Sequence, residues 1–251
     1  MKKTNYMLII VLPLMWLLYC LFEFFSGKIY LSTLIFLTIF PSLILFIISF
    51  LLFKISKYFE HGLSKKSLFF LSLILFIIDQ SAKIIIRIFF FKKSFYIISN
   101  LLSFNPIINT KGSWLNVRFN ININFIMLIL INFIALFLFY EIYKYYNNYY
   151  KKNFFVDLCY IFIIAGSACS LIDKIFYGGS LDFIGISNLF IADFKDIYIN
   201  MAIFLFITIT FNENNNKIKD STMQTKKISR FIIDDIKINI LKKITNVTIL
   251  H

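Results

Sequence analysis

Histidine is nearly absent: His61 and His251 are the only two in 251 residues. No His-Glu-x-x-His segment exists, so a zinc-type intramembrane protease is excluded. Cysteine is equally sparse. Cys20, Cys159 and Cys169 lie in or beside apolar runs with no paired spacing. Neither a disulfide framework nor a thiolate metal site follows from them, and no metal or other cofactor is expected. Acidic residues number 13 against 26 Lys and Arg, a formal charge of +13. In so apolar a chain that excess sets topology and attracts anionic lipid, and nucleic acid is not the expected partner. No internal repeat is visible, which argues against a small transporter built on intramembrane charges.

Apolar sequence dominates what remains. Hydrophobic residues make up 59% of the chain and aromatics 20%, with mean hydropathy +0.79. These values exceed those of soluble domains and predict a polytopic membrane protein. The excess of Phe, Ile, Asn and Lys fits the codon bias of an AT-rich genome. Six runs are long enough to span: Tyr6–Phe25, Tyr30–Phe53, Ser67–Phe91, Phe125–Tyr143, Phe154–Leu171 and a last one from about Ile197 to Phe211. The last reaches spanning length only if it begins earlier, near Phe190, which puts Asp193 in its first turn at the positive end of the helix dipole. Met-Lys-Lys ahead of the first run is built like a signal peptide but lacks a small-residue cleavage site, so an uncleaved anchor is expected.

Lysine placement sets orientation. Lys2, Lys3, Lys54, Lys57, Lys65, Lys66, Lys144, Lys151, Lys152 and the Lys-rich tail fall on one side of successive spans. The positive-inside rule makes that side the cytoplasm and puts both termini there. Arg87, Lys92, Lys93, Lys111 and Arg118 fall outside, against the rule. They belong to a long loop whose alternation around Phe95–Leu102 and Ser113–Phe119 predicts short strands. Residues 212–251 leave the membrane as a polar tail, in which Ile232, Ile236, Ile240 and Ile244 recur at helical spacing.

Carboxylates in such a chain mark sites, since an ionised Asp at a helix centre costs roughly 2.5–3.5 kcal/mol on insertion scales. Between Gly166 and Asp196 the candidates are Asp173, Asp182 and Asp193. Two Asp side chains brought together can share one proton, one acting as base and the other as acid. Asp182 and Asp193 are expected to form such a pair, with Asp196 capping the next helix. Glu23 reads as a solvated helix-end carboxylate. In the third run, Asp79 and Lys83 are four apart and lie on one helical face, where they can pair. Asn109-Thr110-Lys111-Gly112-Ser113-Trp114 reads, taken alone, as a turn with an interfacial Trp.

Asp-Gln-x-x-Lys, then Asn-x-x-Gly-x-Trp, then a Gly-rich helix end leading to Leu-Asp-Phe and Ala-Asp occur in this order. From about Lys65 to Phe211 the chain thereby resembles signal peptidase II, the prolipoprotein signal peptidase. The resemblance implies a four-helix transmembrane core with two catalytic aspartates at the outer membrane face. It implies an aspartic endopeptidase of the bacterial inner membrane that cleaves diacylglyceryl-modified prolipoproteins ahead of the modified cysteine. Asp182 matches the aspartate of Val-Val-Asp-Phe and Asp193 that of Phe-Asn-x-Ala-Asp, the family's dyad. Asp79 and Lys83 match its first motif, Asn109 a substrate-contacting asparagine, and Asp173 the aspartate of Gly-Asn-x-x-Asp-Arg. Departures stand beside these matches. Cys169-Ser170 replaces Gly-Asn, Lys174 replaces the arginine and its planar fork, and Phe190 stands at an asparagine position. The alternative is a non-catalytic relative that binds lipoproteins or lipids.

The fold expected is an all-α polytopic membrane protein: a four-helix core, two further N-terminal spans and a small extracytoplasmic β element. Its divisions are an accessory hairpin over residues 1–60, a core over 65–211 and a cytoplasmic tail over 212–251.

Overall fold

The computed structural model describes residues 4–112, 116, 121, 123–150, 152–214 and 228–238. Each of the six apolar runs is a helix: α1 (Thr4–Phe25), α2 (Leu31–Ser56), α3 (Lys65–Ile85), α4 (Phe125–Tyr149), α5 (Phe154–Phe176) and α6 (Phe194–Asn214). A single π-helical turn, Ile86–Phe90, extends α3. Among the described residues, four helical stretches are long and apolar enough to cross a membrane: Thr33–Ser56, Lys65–Phe90, Phe125–Tyr149 and Phe154–Phe176. A shorter apolar stretch covers Ile9–Phe25. Side chains such as Ile39, Phe69 and Ile126 project outward from the bundle. In lipid that is the favoured arrangement, because the helices satisfy their own backbone groups and the exposed surface is hydrocarbon.

Polar caps fix the helix starts. Ser64 accepts from the Ser67 amide at 3.1 Å, Asn124 from Met127 at 2.9 Å and Asn153 from Phe155 at 2.9 Å. Each side chain satisfies an amide that the helix leaves unpaired. Helix α5 is the central element, buried along most of its length and packed on α3, α4 and α6. It approaches α6 closely at Gly166, where an added Cβ would sit 2.7 Å from Ile199 Cγ1 and 3.2 Å from the Lys195 carbonyl oxygen. Near its start, the buried Asp157 accepts from the Leu63 amide at 2.6 Å and the Tyr143 hydroxyl at 2.7 Å. This ties α3, α4 and α5 together at the end remote from Asp173.

Four strands form one antiparallel sheet in sequential order: β1 (Phe95–Ile98), β2 (Leu102–Asn109), β3 (Ser180–Ile186) and β4 (Phe190–Ala192). The expected outer-loop strand around Phe95–Leu102 is therefore present, whereas Ser113–Phe119 and Trp114 lie outside the described residues. The β3–β4 hairpin was open in the sequence only as a strand ending near Asp182: Ser180–Phe183 alternates polar and apolar side chains over just four residues, and all four are buried.

The N-terminal hairpin packs on this sheet. Cys20, Ile29, Leu34 and Leu37 cluster with Leu101, Ile98, Leu102, Ile186 and Leu189. Trp16 Nε1 donates to the Leu37 carbonyl at 2.8 Å, and the Tyr19 ring meets Phe190 edge-on at 5.9 Å. Glu23 corrects the expectation made for it: it is 1% exposed, and it accepts from the Ser26 hydroxyl at 3.3 Å. A helix at its membrane end is not solvated when a second helix and a sheet cover it. In the tail, residues 228–238 form helix α7. Asp235 ion-pairs with Lys144, and Phe231 packs 5.3 Å from Tyr145 and 5.8 Å from Tyr149. Ile232 and Ile236 fall in α7, and Ile240 and Ile244 lie outside the described residues.

Candidate active site

Five elements deliver side chains to one buried cluster. Helix α3 supplies Asp79 and Lys83, one turn apart, and α5 supplies Asp173 from its last turn. Strand β2 ends on Asn109, opposite Ser180 at the start of β3. Strand β3 carries Asp182 two residues on, hence on the same face as Ser180. Asp193 follows β4 and caps α6. Its carboxylate accepts from the Asp196 amide at 3.1 Å, while Asp196 accepts in return from the Asp193 amide at 3.2 Å. This is a reciprocal capping box with aspartate at its third helical position. Asp196 thus acts at the helix start as expected, although the cap itself is Asp193.

Lys83 is the hub. Its Nζ lies 2.8 Å from Asp79 Oδ2, 2.7 Å from Asp173 Oδ2 and 2.7 Å from Asp193 Oδ2. Asn109 Nδ2 donates to Asp182 Oδ2 at 2.9 Å. The Ser180 hydroxyl bridges Asp173 Oδ2 at 3.1 Å and Asp193 Oδ2 at 2.9 Å. Asp182 Oδ1 is buried without a hydrogen bond. Carboxylate oxygens of Asp182, Asp193 and Asp196 all lie within 4.8 Å of one another, a spacing that would accommodate a cation. Lys195 provides one. Its Nζ contacts Asp193 Oδ2 and the Ser180 hydroxyl and lies 3.7 Å from Asp182 Oδ1 and 3.8 Å from Asp196 Oδ1.

Burial and charge push the two candidate carboxylates apart. For Asp182, desolvation outweighs the Lys195 ammonium, and the Asp193 charge adds to it, so its pKa rises above the ordinary value. For Asp193, desolvation acts in the same direction but Lys195 and Lys83 overcome it, pulling the pKa down to about 2. Two carboxyl groups whose environments separate them in this way are suited to acid and base roles.

The expected site residues Asp79, Lys83, Asn109, Asp173, Asp182 and Asp193 thus come together. Ser170 and Lys174 meet each other instead, Nζ to Oγ at 2.5 Å, toward the C-terminal end of α5.

Comparison with known proteins bears on these residues. The family model described as signal peptidase (SPase) II matches residues 71–212, a segment that contains every member of the cluster. The chain belongs to the signal peptidase II family. Membership makes it a membrane protein of a protease family acting on signal peptides. Two solved bacterial membrane enzymes, determined by the in meso method at 2.3 and 1.9 Å, are similar to it at 21% and 20% identity. They cover 65% and 60% of this chain and 99% and 96% of their own, with TM-scores of 0.48 and 0.47. No curated protein matches the chain.

In this member of the family, sequence reasoning missed Lys195 and Ser180. Lys195 had a signal: a lysine between two aspartates, at the mouth of an apolar run, needs a buried partner or an exit to water. Ser180 had none, since a serine at the start of a strand is commonplace.

Proposed function

We propose that this chain is an aspartic intramembrane endopeptidase that removes signal peptides from lipid-modified prolipoproteins, cutting ahead of the diacylglyceryl cysteine. The observation that carries this reading is the Asp182–Asp193 pair, two buried carboxylates within 4.8 Å with opposed shifts in acidity. Water held between them loses a proton to ionised Asp193. Protonated Asp182, whose Oδ1 is not committed to a hydrogen bond, gives its proton to the scissile carbonyl oxygen as the water attacks. Asp193 then passes the proton it took from water to the leaving amine, and Asp182 recovers a proton from the diol hydroxyl as the C–N bond breaks. Asn109 fixes the Asp182 carboxyl from the side. Asp79, Lys83 and Asp173 form the charged support behind the pair, and Ser170 and Lys174 line the adjoining end of α5.

A site at the membrane boundary receives a lipid-anchored substrate laterally from the bilayer. The core of the enzyme is residues 65–211. Residues 1–60 are an accessory hairpin braced on the sheet, and 212–251 a cytoplasmic tail. The protein is placed in the bacterial inner membrane with both termini inside. The test is to incubate purified protein with a synthetic diacylglyceryl-modified precursor and with the unmodified peptide. Products of the modified precursor alone, cut before the cysteine and identified by mass, are expected. Binding without cleavage would favour a non-catalytic lipoprotein-binding relative.

A further inference from the structure

Lys195 stands in the first turn of α6, where a cation opposes the helix dipole, so its position does not serve the helix. It is 6% exposed, and an ammonium buried to that degree is retained only where carboxylates compensate it. Here the compensation is uneven. Its Nζ contacts Asp193 Oδ2 directly and stands farther from Asp173 at 3.4 Å, Asp182 at 3.7 Å and Asp196 at 3.8 Å. Lys83 reinforces the same side, touching Asp193 at 2.7 Å. Asp182 receives one ammonium, the more distant one, together with the neutral Asn109 amide and the neutral Ser180 hydroxyl. The backbone amide of Lys195 also donates to Asp79 Oδ1 at 3.1 Å, which anchors the residue to α3.

We infer that Lys195 is a positioning residue, a tethered cation that holds Asp193 as the ionised member of the pair and leaves Asp182 to carry the proton. This inference rests on the reading of Asp182 and Asp193 as the catalytic pair. The charged and titratable groups facing it are Asp79 and Lys83 from α3, Asp173 and Lys174 from α5, Asp182 from β3, and Asp193 and Asp196 beside it. Five carboxylates share Lys83 and Lys195, so the placement of one ammonium decides which carboxyl keeps its proton. A covalently attached cation makes this assignment independent of free ions, and it fixes the direction of proton transfer before substrate arrives.

The experiment follows the carboxyl carbonyl absorption of the purified full-length protein by infrared spectroscopy across pH. Asp193→Asn and Asp182→Asn assign the two bands. In the wild type, the Asp193 band should stay absent down to strongly acid pH. Lys195→Met should raise its protonation midpoint by about one pH unit or more, the effect of losing an opposite charge in contact. Lys195→Arg, which keeps the charge, should hold the wild-type midpoint. The pH profile of precursor cleavage should move upward with Lys195→Met and stay in place with Lys195→Arg. If Lys195→Met does not fold, Lys195→Gln takes its place. A lowered yield with an unmoved Asp193 midpoint would reduce Lys195 to a packing role and overturn the inference. Because the infrared midpoint needs no turnover, absence of cleavage by the wild type would count against the protease reading alone.

Discussion

Replacing Lys83 by methionine should destabilise the protein more than any other single change in the cluster. The side chain is 5% exposed and its Nζ makes three carboxylate contacts, at 2.8, 2.7 and 2.7 Å. Removing one partner of a buried ionic group leaves uncompensated charge and costs about 3–5 kcal/mol. The loss is not evenly spread. Asp193 retains Lys195 and Ser180, and Asp79 retains Gln80 Nε2 at 3.0 Å and the Lys195 amide at 3.1 Å. Asp173 keeps the Ser180 hydroxyl and the longer Lys195 contact, with Oδ1 already unbonded. The expected cost is therefore about 3 kcal/mol, the lower end of that range. Set against a total stability of about 5–15 kcal/mol, it is large. The assay is reversible unfolding in mixed micelles, read by loss of helical signal. Adding Asp79→Asn should recover at least about 1 kcal/mol, because one orphaned charge is removed with the cation. A Lys83→Met protein within about 0.5 kcal/mol of wild type would contradict the reasoning. It would mean that these carboxyls are neutralised by their own protons and not by the lysine.

Cleavage should follow a bell in pH. Activity needs Asp193 ionised and Asp182 protonated, so it rises as pH climbs through the depressed Asp193 value near 2 and falls as pH passes the raised Asp182 value. An alkaline limb that survives Asp182→Glu without moving would speak against this assignment. A protein beginning near Gly62 should insert, because Lys65 and Lys66 keep the positive charge that the proposed orientation needs at its N-terminus, and should cleave more slowly than the full chain. The slowing comes from exposing Leu101, Ile186 and Leu189, which the hairpin covers beside the turn that places Asp193. Equal rates for both forms would show that this contact does not act on the site. A cysteine placed at position 111 should react with an impermeant thiol reagent from the outer side of intact cells. Reaction only after permeabilisation would reverse the proposed orientation.

Much of this arrangement is written locally in the chain. Six apolar runs give six helices, because a backbone surrounded by hydrocarbon must satisfy its own polar groups. Asp79 and Lys83 were legible as a pair because a helix fixes the geometry of residues four apart. The Asp182–Asp193 pair was legible through motif order, since nothing in their spacing of eleven says that a hairpin folds them together. The hairpin itself left a faint signal, because alternation runs over only four residues of β3 and β4 is three residues long. Lys195 escaped notice because its partners come from α3, α5 and β3, and a long-range cluster leaves no periodic trace. Glu23 was misread for a related reason: its burial depends on α2 and the sheet covering the end of α1, contacts that no stretch of α1 encodes.

The central claim is that Asp182 and Asp193 perform the chemistry, and substituting each with asparagine tests it most directly. Asparagine keeps the shape of the carboxyl group and cannot exchange the proton that the mechanism moves. Purified Asp182→Asn and Asp193→Asn proteins, shown to be inserted and folded, are to be incubated with a lipid-modified precursor and the released signal peptide measured. Each should release none above background while the wild type releases it. Wild-type release from either variant would contradict the account.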